Sequence, residues 1–299
     1  MDPHKHMPRR SAMYVPATNQ RAMAKARSID CDVIIFDLED AVAPDMKEIA
    51  RRNVVEAFAA EGFPNKETVI RVNSIGSMDF DRDLDAVVQC RPDALLVPKV
   101  SDAKDFRLLS VAIAAHNIAN STRLWAMIET AAALSNLDHL LASGLAGQPK
   151  LDCLVVGIND IAKETRVFPG DQRVFLLPWL MNIVLAAKHH GLCVLDGVWN
   201  DFADQSGFDA EANQSVKMAF DGKTLIHPCQ VESANRFFSP SDTAVMEARG
   251  IVTAFAKAEN CSAGVINLNG KMVERLHLLQ AQRLLTMHDA IQTRAQLRR

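Results

Sequence analysis

Two acids mark where chemistry would sit in this sequence. The stretch Arg123-Leu-Trp-Ala-Met-Ile-Glu129-Thr130 runs an apolar segment straight into a carboxylate, and Ala131-Ala-Ala-Leu134 then starts a helix. Leu151-Asp-Cys-Leu-Val-Val-Gly157-Ile-Asn-Asp160 repeats the design, with Gly157 leaving room for a close approach. A continuous apolar run of this length reads as a strand buried on both faces. An acid at its end faces the edge of the sheet, where parallel α/β folds bind ligands. Glu129 and Asp160 on neighbouring strand ends would seat a hard divalent cation such as Mg²⁺.

The elements that must position this pair follow the same pattern. Short apolar strands are expected at Ala12–Pro16, Asp32–Asp40, Thr68–Asn73, Ala94–Lys99, up to Glu129, up to Asp160, Cys193–Val198 and Lys223–Pro228, with amphipathic helices between them. Eight such pairs over about 230 residues predict an α/β chain with a (β/α)8 TIM barrel. An open doubly wound sheet is the competing reading. No strand runs into a Gly-x-Gly-x-x-Gly turn or a Gly-x-x-x-x-Gly-Lys loop, which argues against a nucleotide fold. The organisation expected is a flexible N-terminal tail over 1–10, the barrel over 11–236, and a C-terminal helical segment over 237–299 serving as lid or oligomerisation element. In that last segment Ser239 reads as a cap with Pro240 at the first helical position, followed by a hairpin-like Gly264–Lys271 and a final helix from Val273. A single helix is expected from Glu129 through Leu141, and a loop over Ser143–Pro149.

Bulk properties narrow the function. Thirty-three basic and 36 acidic side chains give a formal charge of −3, which offers no electrostatic case for nucleic acid or an anionic membrane. No apolar run is long enough to span a bilayer, and the polar start lacks a signal-peptide core. Six cysteines without a Cys-x-x-Cys pair read as reduced thiols of a cytoplasmic protein. His4 and His6 read as solvated.

The predicted strand ends deliver an ordered set of groups: Asp37, Glu39 and Asp40, then Arg71 and Asn73, then Lys99, Glu129, Asp160, Asp196 and His227. Asp196 and His227 are as readily solvated rim residues as site residues. A cation on Glu129 and Asp160 leaves positions for an α-keto acid, whose carbonyl it would polarise. Arg71, forked and always charged, suits the developing oxyanion or the carboxylate. The reaction this implies is carbon–carbon bond making or breaking beside a carbonyl. Lys99 as a Schiff base is the alternative. The sequence shows neither a nucleophile elbow nor a Cys–His signal.

Arg10-Ser11, Pro16, Asp37-Leu-Glu39-Asp40-Ala-Val with Lys47, Arg71-Val-Asn73, Pro98-Lys99, Glu129-Thr130, Gly157-x-x-Asp160, Asp196-Gly197 and Phe220-Asp-Gly-Lys223-x-x-Ile-His227-Pro-x-Gln230 fall in order over nearly the whole chain. Together they resemble the citrate lyase beta-subunit and malyl-CoA/citramalyl-CoA lyase family, within the HpcH/HpaI aldolase class. The resemblance implies Mg²⁺ on Glu129 and Asp160, Arg71 assisting the carbonyl, and Glu39 and Asp40 orienting waters around the ion. It implies CoA near the first βα segments, with Arg10, Arg21 and Lys25 as candidates for its phosphates and Lys99 near the substrate. It also implies trimers or hexamers, and a lid carrying an acid in a Gly-Lys-Met-hydrophobic-Asp segment. Here that segment reads Gly270-Lys271-Met272-Val273-Glu274, with glutamate in place of aspartate. The activity expected is a Mg²⁺-dependent lyase releasing acetyl-CoA and an α-keto acid from a malyl-CoA or citramalyl-CoA type thioester. Alternatives are the citryl-ACP-cleaving subunit of a citrate lyase complex, a metal-dependent aldolase on free 4-hydroxy-2-oxo acids, and a non-catalytic binding barrel.

Overall fold

A computed structural model describes residues 8–60 and 62–297; His4 and His6 lie outside them. Eight parallel strands close into a barrel: β1 (Ser11–Pro16), β2 (Val33–Asp37), β3 (Glu67–Arg71), β4 (Ala94–Val97), β5 (Arg123–Ile128), β6 (Leu151–Val156), β7 (Cys193–Asp196) and β8 (Gly222–Leu225). Each strand pairs with the next, and β1 closes on β8 with Ser11 opposite Lys223. Helices connect the strands, as the alternation of patterns required. The interior is packed with Ala12, Val33, Ile35, Val69, Leu96, Trp125, Met127, Val155 and Leu195, so the barrel is a core and not a pore.

The described chain divides into two compact units, one within residues 9–237 and a second built on 238–297. The second has its own small core of Ala254, Phe255, Ile266 and Val273. It contains a helix Asp242–Ala256, an antiparallel hairpin β9 (Val265–Leu268) and β10 (Lys271–Glu274), and a long helix Arg275–Leu297.

Local details depart from the sequence reading. Ser241, not Ser239, caps the helix that begins at Asp242, accepting a hydrogen bond from the Ala244 N–H. The helix expected after Glu129 is interrupted at Asn136, giving separate helices Ala131–Ser135 and Leu137–Ala146. Ser143 to Ala146 are therefore helical, not loop. Arg9 and Arg10, placed in the flexible tail by the sequence reading, are buried. Arg9 lies over the Trp125 ring and pairs with Glu67 and Asp152, which plugs the strand-start end of the barrel.

Candidate active site

The strand ends converge on a cavity of about 400 Å³ whose lining includes Tyr14, Asp37, Asp40, Arg71, Met127 and Asp160. Arg71 ends β3 and is held rigidly. Its Nε and Nη2 donate to the two carboxylate oxygens of Asp37 at 2.7 and 2.5 Å. Its guanidinium lies over the Tyr14 ring at 4.9 Å, and Nη1 approaches the Met127 sulfur at 3.6 Å. A planar cation held this way presents the remaining N–H groups along its edge as preorganised donors.

Glu129 lies just past β5 and is 1% exposed. One oxygen accepts the Lys99 backbone N–H at 2.7 Å, while Oε2 has no hydrogen-bond donor among the described residues. A Cβ on Gly157 would sit 2.5 Å from the Glu129 Cβ, so that seat exists only because residue 157 is glycine. Asp160 follows in the first turn of the helix Ile158–Thr165, near enough for its charge to act on Glu129. Burial, then the charge of Glu39, and then that of Asp160 push the Glu129 carboxyl up to about 8 against the Lys99 N–H and Arg71.

Glu39 is also buried. It pairs with Lys99 Nζ at 2.5 Å and stands 3.0 Å from Arg71 Nη1, off the direct N–H line, so that its Oε2 also lacks a donor among the described residues. Burial raises its pKa, and Arg71 and Lys99 oppose the rise. Asp40 is exposed beside Lys99 at 3.5 Å. Behind this group, Lys47 donates 2.7 Å hydrogen bonds to the carbonyls of Leu38 and Glu39 and to Asn73, which fixes the turn carrying Glu39 and Asp40.

Five carboxylates (Asp37, Glu39, Asp40, Glu129 and Asp160) thus gather around Arg71 and Lys99, and two of their buried oxygens have no donor among the described residues. A hard divalent cation fits that donor set. It would satisfy the orphaned oxygens and offset the burial and the neighbouring negative charge that raise the Glu129 carboxyl. The Schiff-base reading of Lys99 fares worse. Burial works to lower its pKa, but the hydrogen bond and charge of Glu39, with Asp40 and Glu129, outweigh it and raise the pKa. A protonated amine is no nucleophile. Lys99 also takes positive φ (+56°), a conformation that aims its N–H at Glu129.

Other expected site residues lie elsewhere. Arg10 belongs to the opposite end: its backbone N–H and Nε both donate to buried Asp32, which precedes β2. That placement removes it as a phosphate ligand at the mouth. Arg21 and Lys25 are exposed on the helix Gln20–Ala26 that follows β1, consistent with a solvated cationic edge. Asp196 is neither rim nor site. It is sealed with Lys223, Arg173 and Ser215, with Lys223 Nζ at 2.7 Å and itself fully buried. Burial would raise the Asp196 carboxyl, but Lys223 and Arg173 outweigh it and hold it at about 2. His227 stacks on Phe202 at 4.9 Å and contacts Cys229 Sγ at 2.9 Å, so a Cys–His pair absent from the sequence reading does exist at an exposed position. Glu274 ends β10 in the second unit, its backbone N–H donating to His277 Nδ1. Tyr14 and Met127, which brace Arg71, went unrecognised in the sequence because an aromatic and a methionine inside barrel strands look like ordinary core.

The fold and this arrangement define an acid-lined barrel enzyme site. A family model described as HpcH/HpaI aldolase/citrate lyase matches residues 10–228. The chain belongs to that family, whose enzymes break carbon–carbon bonds. Among known proteins it is 41% identical over 288 residues to a (3S)-malyl-CoA thioesterase of Cereibacter sphaeroides, covering 96% of this chain and 97% of that one. It is 32% identical to an L-malyl-CoA/beta-methylmalyl-CoA lyase of Rhodobacter capsulatus, covering 91% and 92%. Among solved structures, CitE of Mycobacterium tuberculosis in complex with magnesium, acetoacetate and coenzyme A superposes with a TM-score of 0.74 at 24% identity, over 94% of this chain and 98% of that one. At that identity the likeness speaks for the fold.

Proposed function

We propose that the chain cleaves a short 3-hydroxyacyl-CoA thioester of the malyl-CoA or citramalyl-CoA type, releasing acetyl-CoA and an α-keto acid such as glyoxylate or pyruvate. The observation that carries this reading is the pairing of a rigidly braced Arg71 with buried Glu39 and Glu129, each with one oxygen that lacks a donor among the described residues. Glu129 and Asp160 would hold Mg²⁺, with Glu39 and Asp40 hydrogen-bonded to waters around it. When bound, the ion supplies Lewis-acid polarisation of the keto-acid oxygen. Arg71 donates to the carboxylate or to the oxygen on which charge gathers as the carbon–carbon bond breaks. Tyr14 and Asp37 keep its fork in place, so no reorganisation is needed as charge develops. The role of Glu274 in handling the proton of the acetyl-CoA enolate rests on the resemblance, as does assembly into trimers or hexamers; a cytoplasmic location rests on the reading of the six cysteines as reduced thiols.

The departure at Glu274, together with 38–41% identity to several (3S)-malyl-CoA thioesterases, favours one second reading: hydrolysis of the same thioester to the free hydroxy acid and CoA. One assay separates the two. Metal-loaded protein is given malyl-CoA and citramalyl-CoA, with citryl-ACP and a free 4-hydroxy-2-oxo acid as further substrates. Keto acid is followed as its phenylhydrazone and free thiol with a disulfide reagent. Keto acid without thiol is the lyase outcome, and thiol without keto acid the hydrolase outcome. Turnover of none of the CoA esters, with or without Mg²⁺, would sink both.

A further inference from the structure

A second cluster of metal-ligating groups lies outside the barrel mouth. Asp138, at the start of the helix Leu137–Ala146, meets His189 and His190, at the end of the helix Leu177–His189. Among the described residues they are the one group of three or more His, Cys, Asp or Glu side chains whose donor atoms all lie within 4.8 Å of one another. His190 Nε2 is already 2.8 Å from Asp138 Oδ1, and the two imidazoles stand edge to face with centroids 4.9 Å apart. His190 falls just ahead of β7, which begins at Cys193, so the cluster belongs to the strand-start side, away from Glu129 and Asp160.

We propose that Asp138, His189 and His190 form a surface site for a divalent transition ion of the Zn²⁺ class. The donor chemistry selects the ion: two imidazoles and one carboxylate suit Zn²⁺, Co²⁺ or Ni²⁺ rather than Mg²⁺, which prefers oxygen. The geometry needs little adjustment. Ligand bonds of about 2.0–2.2 Å put neighbouring donors roughly 3.3 Å apart around a tetrahedral ion. His190 and Asp138 already stand near that spacing, and His189 is exposed and free to turn inward. One further feature favours a cation here. The neighbouring cation, Lys188, is drawn away by both oxygens of Asp221 at 2.6 and 2.7 Å. A bound ion would clasp two outer helices of the barrel with three protein ligands, leaving open positions for water. Such a site exchanges its metal readily and differs in kind from the acid-lined mouth.

The test uses the full-length metal-free chain titrated with Co²⁺ and Zn²⁺, by calorimetry and visible absorption. The expected result is binding without a thiolate-to-cobalt charge-transfer band. It should be weakened by more than about tenfold, the loss seen even for outer-shell partners, in both His190→Ala and His189→Ala. It should persist in Glu129→Gln/Asp160→Asn, which removes the ligands assigned at the mouth. Circular dichroism without metal checks that the surface variants fold, and Asp138→Asn supplies a second, milder change that should also weaken binding. Three results would overturn the proposal: unchanged affinity in the His189→Ala/His190→Ala double variant, a thiolate band indicating Cys229 or Cys261, or loss of all binding in the mouth variant.

Discussion

Gly157→Ala is the sharpest test of the site, because a single methyl group attacks the position of Glu129 and little else. The added Cβ would lie 2.5 Å from the Glu129 Cβ and closer still to Oε2, whereas ordinary contact begins near 3.4 Å. The obstruction includes the root of the side chain as well as its flexible end, so a rotamer change cannot relieve it and Glu129 must retreat by about 1 Å. A displacement of that size in a positioned catalytic group costs about a hundredfold in rate. A hundredfold loss is expected both in kcat/KM for the proposed thioester and in Mg²⁺ affinity, measured by turnover and by calorimetry. Gly250→Ala is the control. It lies in the helix Asp242–Ala256 with nothing within 4 Å of the new methyl, and replacing a mid-helix glycine should raise stability by about 0.5–1 kcal/mol with activity unchanged. If Gly157→Ala keeps wild-type metal affinity and turnover, the seat assigned to Glu129 is wrong.

Three further outcomes follow from the same geometry. Glu129 binds its proton more tightly folded, at about 8, than unfolded, near 4.5. The stability this contributes is full below 4.5 and is lost as pH rises toward 8, on the order of 5 kcal/mol at about 1.4 kcal/mol per pH unit. Metal-free Glu129→Gln should therefore unfold at higher urea than the native sequence at pH 8.5, with the gap closing at pH 5; equal midpoints at both would count against it. Arg71→Lys keeps the charge but loses the two-pronged bond to Asp37, and kcat should fall by about 10²–10³ with a smaller change in KM. Asp196→Asn removes the carboxylate that buried Lys223 and Arg173 share and leaves them Glu211 as their remaining acid, so it should cost about 1–3 kcal/mol in chemical denaturation; an unchanged midpoint would mean the Asp196 pair is dispensable.

The barrel and the acids at its mouth were legible because both rest on patterns that run along the chain. Fully buried strands are continuous apolar runs, and a charge ending one must face the rim, so Glu129, Arg71 and Lys99 were placed correctly. Residues defined by contacts across the barrel were not legible. Tyr14 and Met127 look like any other interior residues until Arg71 lies against them. Arg10 is a candidate for the CoA phosphates only by the family resemblance, and a motif match does not say which end of the barrel a residue guards; its partner Asp32 precedes β2 and puts it at the strand-start end. Asp196 ends its strand as the other acids do, but Lys223 from the next strand and Arg173 from a distant loop enclose it. The pairing of His227 with Cys229 depends on a backbone turn that strand patterns do not describe.

The plug at the strand-start end has a bearing on how the chain is made. Arg9 precedes all eight barrel strands in the chain, yet its partners are Glu67, Trp125 and Asp152, and its carbonyl occupies the space where Gly222 would carry a side chain. The floor therefore cannot close until β8 has been synthesised and has come round to meet β1. The segment ahead of the first barrel strand is thus among the last to be locked, and changes that disturb residues 9–10 act on the closing step of barrel assembly and not on its beginning.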